Sequence, residues 1–99
     1  MDALTLKDFK NVRDWVESEN IQERIQATKS EIATKQMLKK LSNDKFWLVR
    51  LYVTMNKNIT EDILLEMKQK ESDLIVLNQI NSELSFIEKI RKIRNVGVD

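Results

Sequence analysis

Proline is absent from this chain of 99 residues, and glycine occurs once, at Gly97. Turns between strands draw on Gly, Pro and Asn-Gly pairs, because those residues reach the backbone angles that tight turns need. A β-rich fold of this length needs several such turns, and the residues for them are missing. Leu, Ile, Lys, Glu and Gln dominate instead, and all but Ile are good helix formers. The chain is therefore expected to be all-α. At this length it reads as one domain, residues 1–99. With 41% hydrophobic and 33% charged residues, it has enough apolar surface to fold.

Apolar residues at helical spacing and polar caps between them mark out the helices. Thr5 is the expected cap of a first helix carrying Leu6, Phe9, Val12, Trp15 and Val16. Asn20 opens a second with Ile21, Ile25 and Ala27, and a third carries Ile32, Ala33, Met37, Leu38 and Leu41. Asp44 is placed to cap the next helix, about Lys45 to Met55, which is apolar nearly all round and so expected at the centre of the domain. Thr60 caps a helix with Ile63, Leu64 and Met67 as its stripe. Glu61 and Asp62 suit the start of its dipole, and Lys68 and Lys70 its end. Ser72 is expected to open a further helix with Leu74, Ile75, Leu77 and Ile80. Ser85 with Glu88 forms a capping box for the last, whose stripe is Phe86, Ile87, Ile90 and Ile93, with Gly97 just past its end. Trp47, Leu51, Ile63, Leu64 and Ile90 are expected to share one continuous core.

The chain also resembles itself at an offset of 26. Arg24 falls on Arg50, Ala27 on Val53, and Thr34 on Thr60. Leu38, Leu64 and Ile90 align, as do Leu41, Met67 and Ile93. The run Asn43-Asp44-Lys45-Phe46-Trp47-Leu48-Val49-Arg50, followed by Asn56, Thr60 and Leu64, resembles the HEAT-like and variant leucine-rich repeats. In those families an Asp opens a helix six residues before an Arg, an Asn ends that helix, and a Thr opens the second. Lys57 and Glu61 stand where family members usually carry Pro, and Val76 stands where the third repeat would carry its Arg. The resemblance implies a short right-handed α-solenoid of about three helical-hairpin repeats, about six helices in all. Residues 1–19 would then be an N-terminal cap and residues 20–96 the repeats. It assigns Arg50 to a ladder with Asp44 or with a neighbouring repeat's carboxylate or carbonyl, in preference to ligand binding. Some HEAT-like proteins are DNA glycosylases, but those are considerably longer. The resemblance speaks to fold and carries little information about function.

Much of enzyme chemistry has no residues here. Histidine and cysteine are absent, which removes imidazole bases, thiolates and the usual zinc sets. No glycine-rich loop can wrap a phosphate. Glu61-Asp62 reads as a dipole device and not as a metal site. No catalytic residue, metal or cofactor is expected. The first residues lack a basic segment followed by an apolar run, and no apolar stretch nears the roughly 20 residues that span a bilayer. A cytoplasmic protein is expected, with no membrane partner.

Net charge is +1, but the charges come in blocks. From Lys29 to Lys57 there are seven basic and two acidic residues, a balance of +5; from Glu61 to Glu88 there are seven acidic and two basic, a balance of −5. Blocks of one sign steer partners. The expectation is a non-catalytic protein-binding module, more narrowly a small inhibitor or immunity protein neutralising a basic partner such as a nuclease toxin. Glu61, Asp62, Leu65, Glu66, Glu71 and Asp73 are the candidate binding residues, with Leu65 as apolar anchor. One alternative is nucleic-acid binding through the 29–57 block and the basic cluster Lys89, Arg91, Lys92 and Arg94, with Trp15 or Trp47 stacking on bases. The other is a subunit or homo-oligomer, because an unfinished repeat end invites stacking.

Overall fold

The computed structural model describes residues 6–96, with side chains from Asp8 onward. The expected roles of Thr5 and Gly97 lie outside the described residues. Six helices run in order: α1 (Leu6–Val16), α2 (Ile21–Lys29), α3 (Lys35–Leu41), α4 (Trp47–Met55), α5 (Glu61–Lys70) and α6 (Leu74–Val96). No strand occurs among the described residues.

Side-chain caps start several of these helices, as the polar spacers suggest. The Asn20 side chain accepts from the Gln22 N–H at 2.8 Å, opening α2. Thr34 Oγ1 accepts from the Met37 N–H at 3.2 Å and opens α3. Two expected caps work differently. Asp44 accepts from the Phe46 N–H at 2.9 Å, so it ties the turn before α4, and the helix starts later than expected, at Trp47. Thr60 precedes α5 but makes no cap bond; its hydroxyl donates to the Asp62 carboxylate instead. Ile32 and Ala33 belong to the turn before α3, not to the helix.

The larger departure is at the C-terminal side. Asp73, not Ser72, opens α6: its carboxylate accepts from the N–H groups of Ile75 and Val76 at 2.9 and 3.1 Å. Ser85 caps nothing, because α6 continues through it as one helix of 23 residues. The two earlier turns show why. Asn56 donates across to the carbonyls of Thr28 and Ser30 at 2.7 and 2.9 Å, and Asn58 to those of Glu31 and Ala33 at 2.8 and 3.1 Å. The turn before α5 thus clamps the turn before α3. No described residue does this for Ser82 to Phe86. Without a clamp and without Pro or Gly there, the backbone satisfies its hydrogen bonds by staying helical.

The helices pack through alternate neighbours: α2 lies against α4, and α4 against α6. On the other side α1 packs on α2 and α3, α3 on α4, and α5 on α6. The result is flat, 47 × 39 × 16 Å. One buried cluster runs through it, from Val12 and Val16 through Leu38, Val49, Val53, Ile63 and Leu64 to Val76 and Ile80. Trp47 and Leu51 are only partly buried against this cluster. Ile90, expected in the core, is half-buried and stands apart from it. α4 is central, touching α2, α3 and α6, yet its apolar girdle is not all buried: Met55 is 57% exposed.

Leu64 has no exposure at all, so Leu64→Ala should leave a cavity and cost about 2–5 kcal/mol. Chemical denaturation should show that loss as a lower midpoint with an unchanged slope.

Candidate functional site

The most apolar helix contains a charge, Arg50, and burying an unpaired guanidinium is costly. Here it is paired. Arg50 Nε and one terminal nitrogen donate to the two Glu71 carboxylate oxygens, each at 2.9 Å, and the other terminal nitrogen donates to the Asp44 carbonyl at 2.8 Å. Arg24, 26 residues earlier, repeats this arrangement. It donates to the two Asp44 carboxylate oxygens at 2.7 and 3.3 Å and to the Ser18 carbonyl at 3.0 Å. A planar fork suits a carboxylate held this way. The Glu71 carboxylate raises the Arg50 pKa above its ordinary value, against a smaller opposing effect of burial. Thr28 and Thr54 echo each other in the same way, donating to the carbonyls of Ile25 and Leu51 at 2.5 and 2.6 Å.

These contacts bear on the candidate binding residues. Glu71 is 3% exposed and occupied by Arg50, and Asp73 caps α6. Both hold the fold together. Asp62 pairs with Lys35 at 2.8 Å, and Glu61 with Arg91 at 2.8 Å. The change of sign along the chain is therefore met within the molecule: acids on α5 stand between bases on α3 and α6. Lys57 with Glu31 at 2.9 Å, and Lys40 with Glu17, follow the same rule. Of the six candidates, Leu65 is 47% exposed and Glu66 is half-buried beside it.

The basic block is similarly engaged. Lys35, Lys40, Arg50 and Lys57 have acidic partners, and Lys29 sits 4.7 Å from the centre of the Tyr52 ring. Trp15 and Trp47 pack partly buried against the core. A shallow groove beside that contact is lined by Lys29, Tyr52, Met55 and Lys57. No group of three or more metal-ligating side chains occurs among the described residues. No helix of the described residues is long and apolar enough to cross a membrane.

What the straight α6 leaves uncovered was not foreseen. Ile75 is 57% exposed, Phe86 61%, Ile93 67% and Val96 76%. At 100° per residue, Phe86 lies about 20° from Ile75 around the helix and Ile93 returns to the same line. Ile75, Phe86 and Ile93 therefore form one stripe. The sequence puts Phe86 and Ile93 on the apolar stripe of a last helix and Ile75 on a separate helix before it, so it does not bring the three together. The departing signals were Val76 in the place of an arginine and Phe86 in the place of a capping threonine.

No protein-family model, curated protein or solved structure matches this chain.

Two measurements test these pairings. Removing Glu71 leaves a largely buried guanidinium short of its partner, so Glu71→Ala should cost about 3 kcal/mol in denaturant unfolding. The Asp62 carboxyl, held down first by Lys35 and then by the Thr60 hydroxyl, has its pKa lowered from 3.8 to about 2. A depressed folded-state pKa means that the pair stabilises the fold above the ordinary aspartate range and loses this as pH falls toward 2. In an NMR titration Lys35→Ala should move the Asp62 midpoint back up toward 3.8.

Proposed function

We propose that this chain is a non-catalytic protein-binding module, built as a short HEAT-like right-handed α-solenoid, and that it meets its partner with the outer face of α6. The recurrence of the arginine forks and threonine bonds at a 26-residue spacing supports the repeat architecture. So does the packing of α2, α4 and α6 in succession. Short solenoids offer preformed surfaces, so binding needs little ordering of the chain.

The observation that carries the choice of face is the row Ile75, Phe86 and Ile93, each more than half exposed on one side of α6. Exposed apolar side chains aligned on one face mark interaction sites, since water disfavours leaving them bare. Interfaces draw their affinity from such anchors, and phenylalanine is enriched among interface residues. The acidic face of α5 offers less. Glu61 and Asp62 already have cationic partners in the chain, and Leu65 alone would supply the apolar contact. An inhibitor or immunity protein acting on a basic partner in the cytoplasm would use that α5 face. Binding to nucleic acid through the whole 29–57 block would require Lys35, Lys40 and Lys57 to leave their acidic neighbours.

A photo-crosslinking residue placed separately at positions 86, 65 and 39 in cells distinguishes these surfaces. Position 86 should yield a discrete covalent adduct, and position 39, an exposed α3 site, should yield none. An adduct from position 65 alone would return the interface to α5 and favour the inhibitor reading. No protein adduct from any position would sink the binding-module proposal.

A further inference from the structure

Three properties of α6 say what could cover its stripe. The first is charge. With Asp73 spent as the cap, and Arg91 held by Glu61 and Glu88, the first half of α6 keeps Glu83 and no base, and the second keeps Lys89, Lys92 and Arg94. A second copy of α6 laid antiparallel sets the basic half of each over the half of the other that carries Glu83, whereas a parallel copy sets the three bases of each against those of the other. The second is shape. Between Ile75 and Phe86 the stripe holds Ser82, a short side chain. An antiparallel pair centred midway between Ile75 and Ile93 brings Phe86 of each copy opposite Ser82 of the other, and Ile75 opposite Ile93. The bulky ring meets a gap, and the two isoleucines meet twice. The third is the repeat itself. Ile93 occupies the column of Leu41 and Met67, which are 2% and 4% exposed, yet Ile93 is 67% exposed. The residue is patterned for burial and finds no cover in its own chain.

We propose that the outer face of α6 docks a second copy of this chain, antiparallel, α6 on α6, with Ile75, Phe86 and Ile93 at the contact. The proposal rests on the reading of α6 as the docking face and names its occupant. The interface is isologous, so each surface serves both partners and the assembly closes at two copies without open-ended stacking. Ile75 and Ile93 lie about 27 Å apart along the helix axis. A contact this narrow is at the small end of stable interfaces, so the dimer dissociates on dilution.

Analytical ultracentrifugation of the full chain from roughly 1 μM to 1 mM spans the range in which such a contact dissociates. The expected result is a monomer–dimer equilibrium with no larger species. Ile93→Lys and Phe86→Glu should each weaken it at least tenfold with helical circular dichroism unchanged. Leu65→Lys, on α5, should leave it as it was. Because the chain has no cysteine, register can be read directly by mixing Ile75→Cys with Ile93→Cys under mild oxidation. Antiparallel docking gives the mixed disulfide in excess over either homodisulfide. Homodisulfides in excess would overturn the antiparallel arrangement. A monomer throughout the range would overturn self-docking, and a crosslink from position 86 to a different protein would then leave the α6 docking face standing with another occupant.

Discussion

Two arginine forks organise this molecule. Each guanidinium reaches back six residues to a carbonyl and forward about twenty to a carboxylate at the end of the following helix: Arg24 to Ser18 and Asp44, Arg50 to Asp44 and Glu71. Asp44 belongs to both, its carboxylate to Arg24 and its carbonyl to Arg50. The forks therefore fasten the turns before α2, α4 and α6 into a common register. A charge inside an apolar helix would destabilise the fold if it stood alone. With every fork nitrogen directed at an oxygen, the same charge sets the spacing between helices that apolar packing alone would leave loosely specified. Asn56 and Asn58 do the corresponding work at the opposite set of turns.

The same register explains the surface. Side chains that face each other across neighbouring segments carry opposite signs: Glu31 with Lys57, Lys35 with Asp62, Glu61 with Arg91. Exposed pairs of this kind add little to stability, but they account for the blocks of charge along the chain. An acidic segment beside a basic one is what complementary stacking produces. Charge blocks in a repeat sequence therefore point to an external partner only after the internal pairings have been subtracted. Here the subtraction leaves Glu66 on α5, Lys39 and Lys45 in the basic block, and Lys89, Lys92 and Arg94 on α6, beside an uncovered apolar stripe.

That stripe exists because α6 does not fold back. The segment Ser82-Glu83-Leu84 matches Ser30-Glu31-Ile32, where the chain does turn. The difference is what lies against it. The earlier turn is held by two asparagines from the next unit, and no described residue holds Ser82 to Phe86. A turn signal of moderate strength is decided by its neighbours, since helix and turn differ little in local energy when neither Gly nor Pro is present. α6 keeps Ile87 against the core and Arg91 on Glu61, while Phe86 and Ile93 on its other side stay uncovered.

The sequence by itself determined the all-helical class and the positions of most helices, because the missing turn residues and the 3.6-residue periodicity are local properties. It also determined the core columns at Leu38 and Leu64, through the 26-residue repetition, while the structural role of Arg50 came from the resemblance to repeat families. Only the tertiary structure decided which charges are spent within the molecule, because Asp62 and Lys35 lie 27 positions apart and meet only in the folded chain. It likewise decided that Glu71 is buried and that Ile75, Phe86 and Ile93 are bare. An apolar stripe looks the same in sequence whether or not another helix covers it, and its exposure depends on whether the chain turns back, which contacts distant in sequence settle.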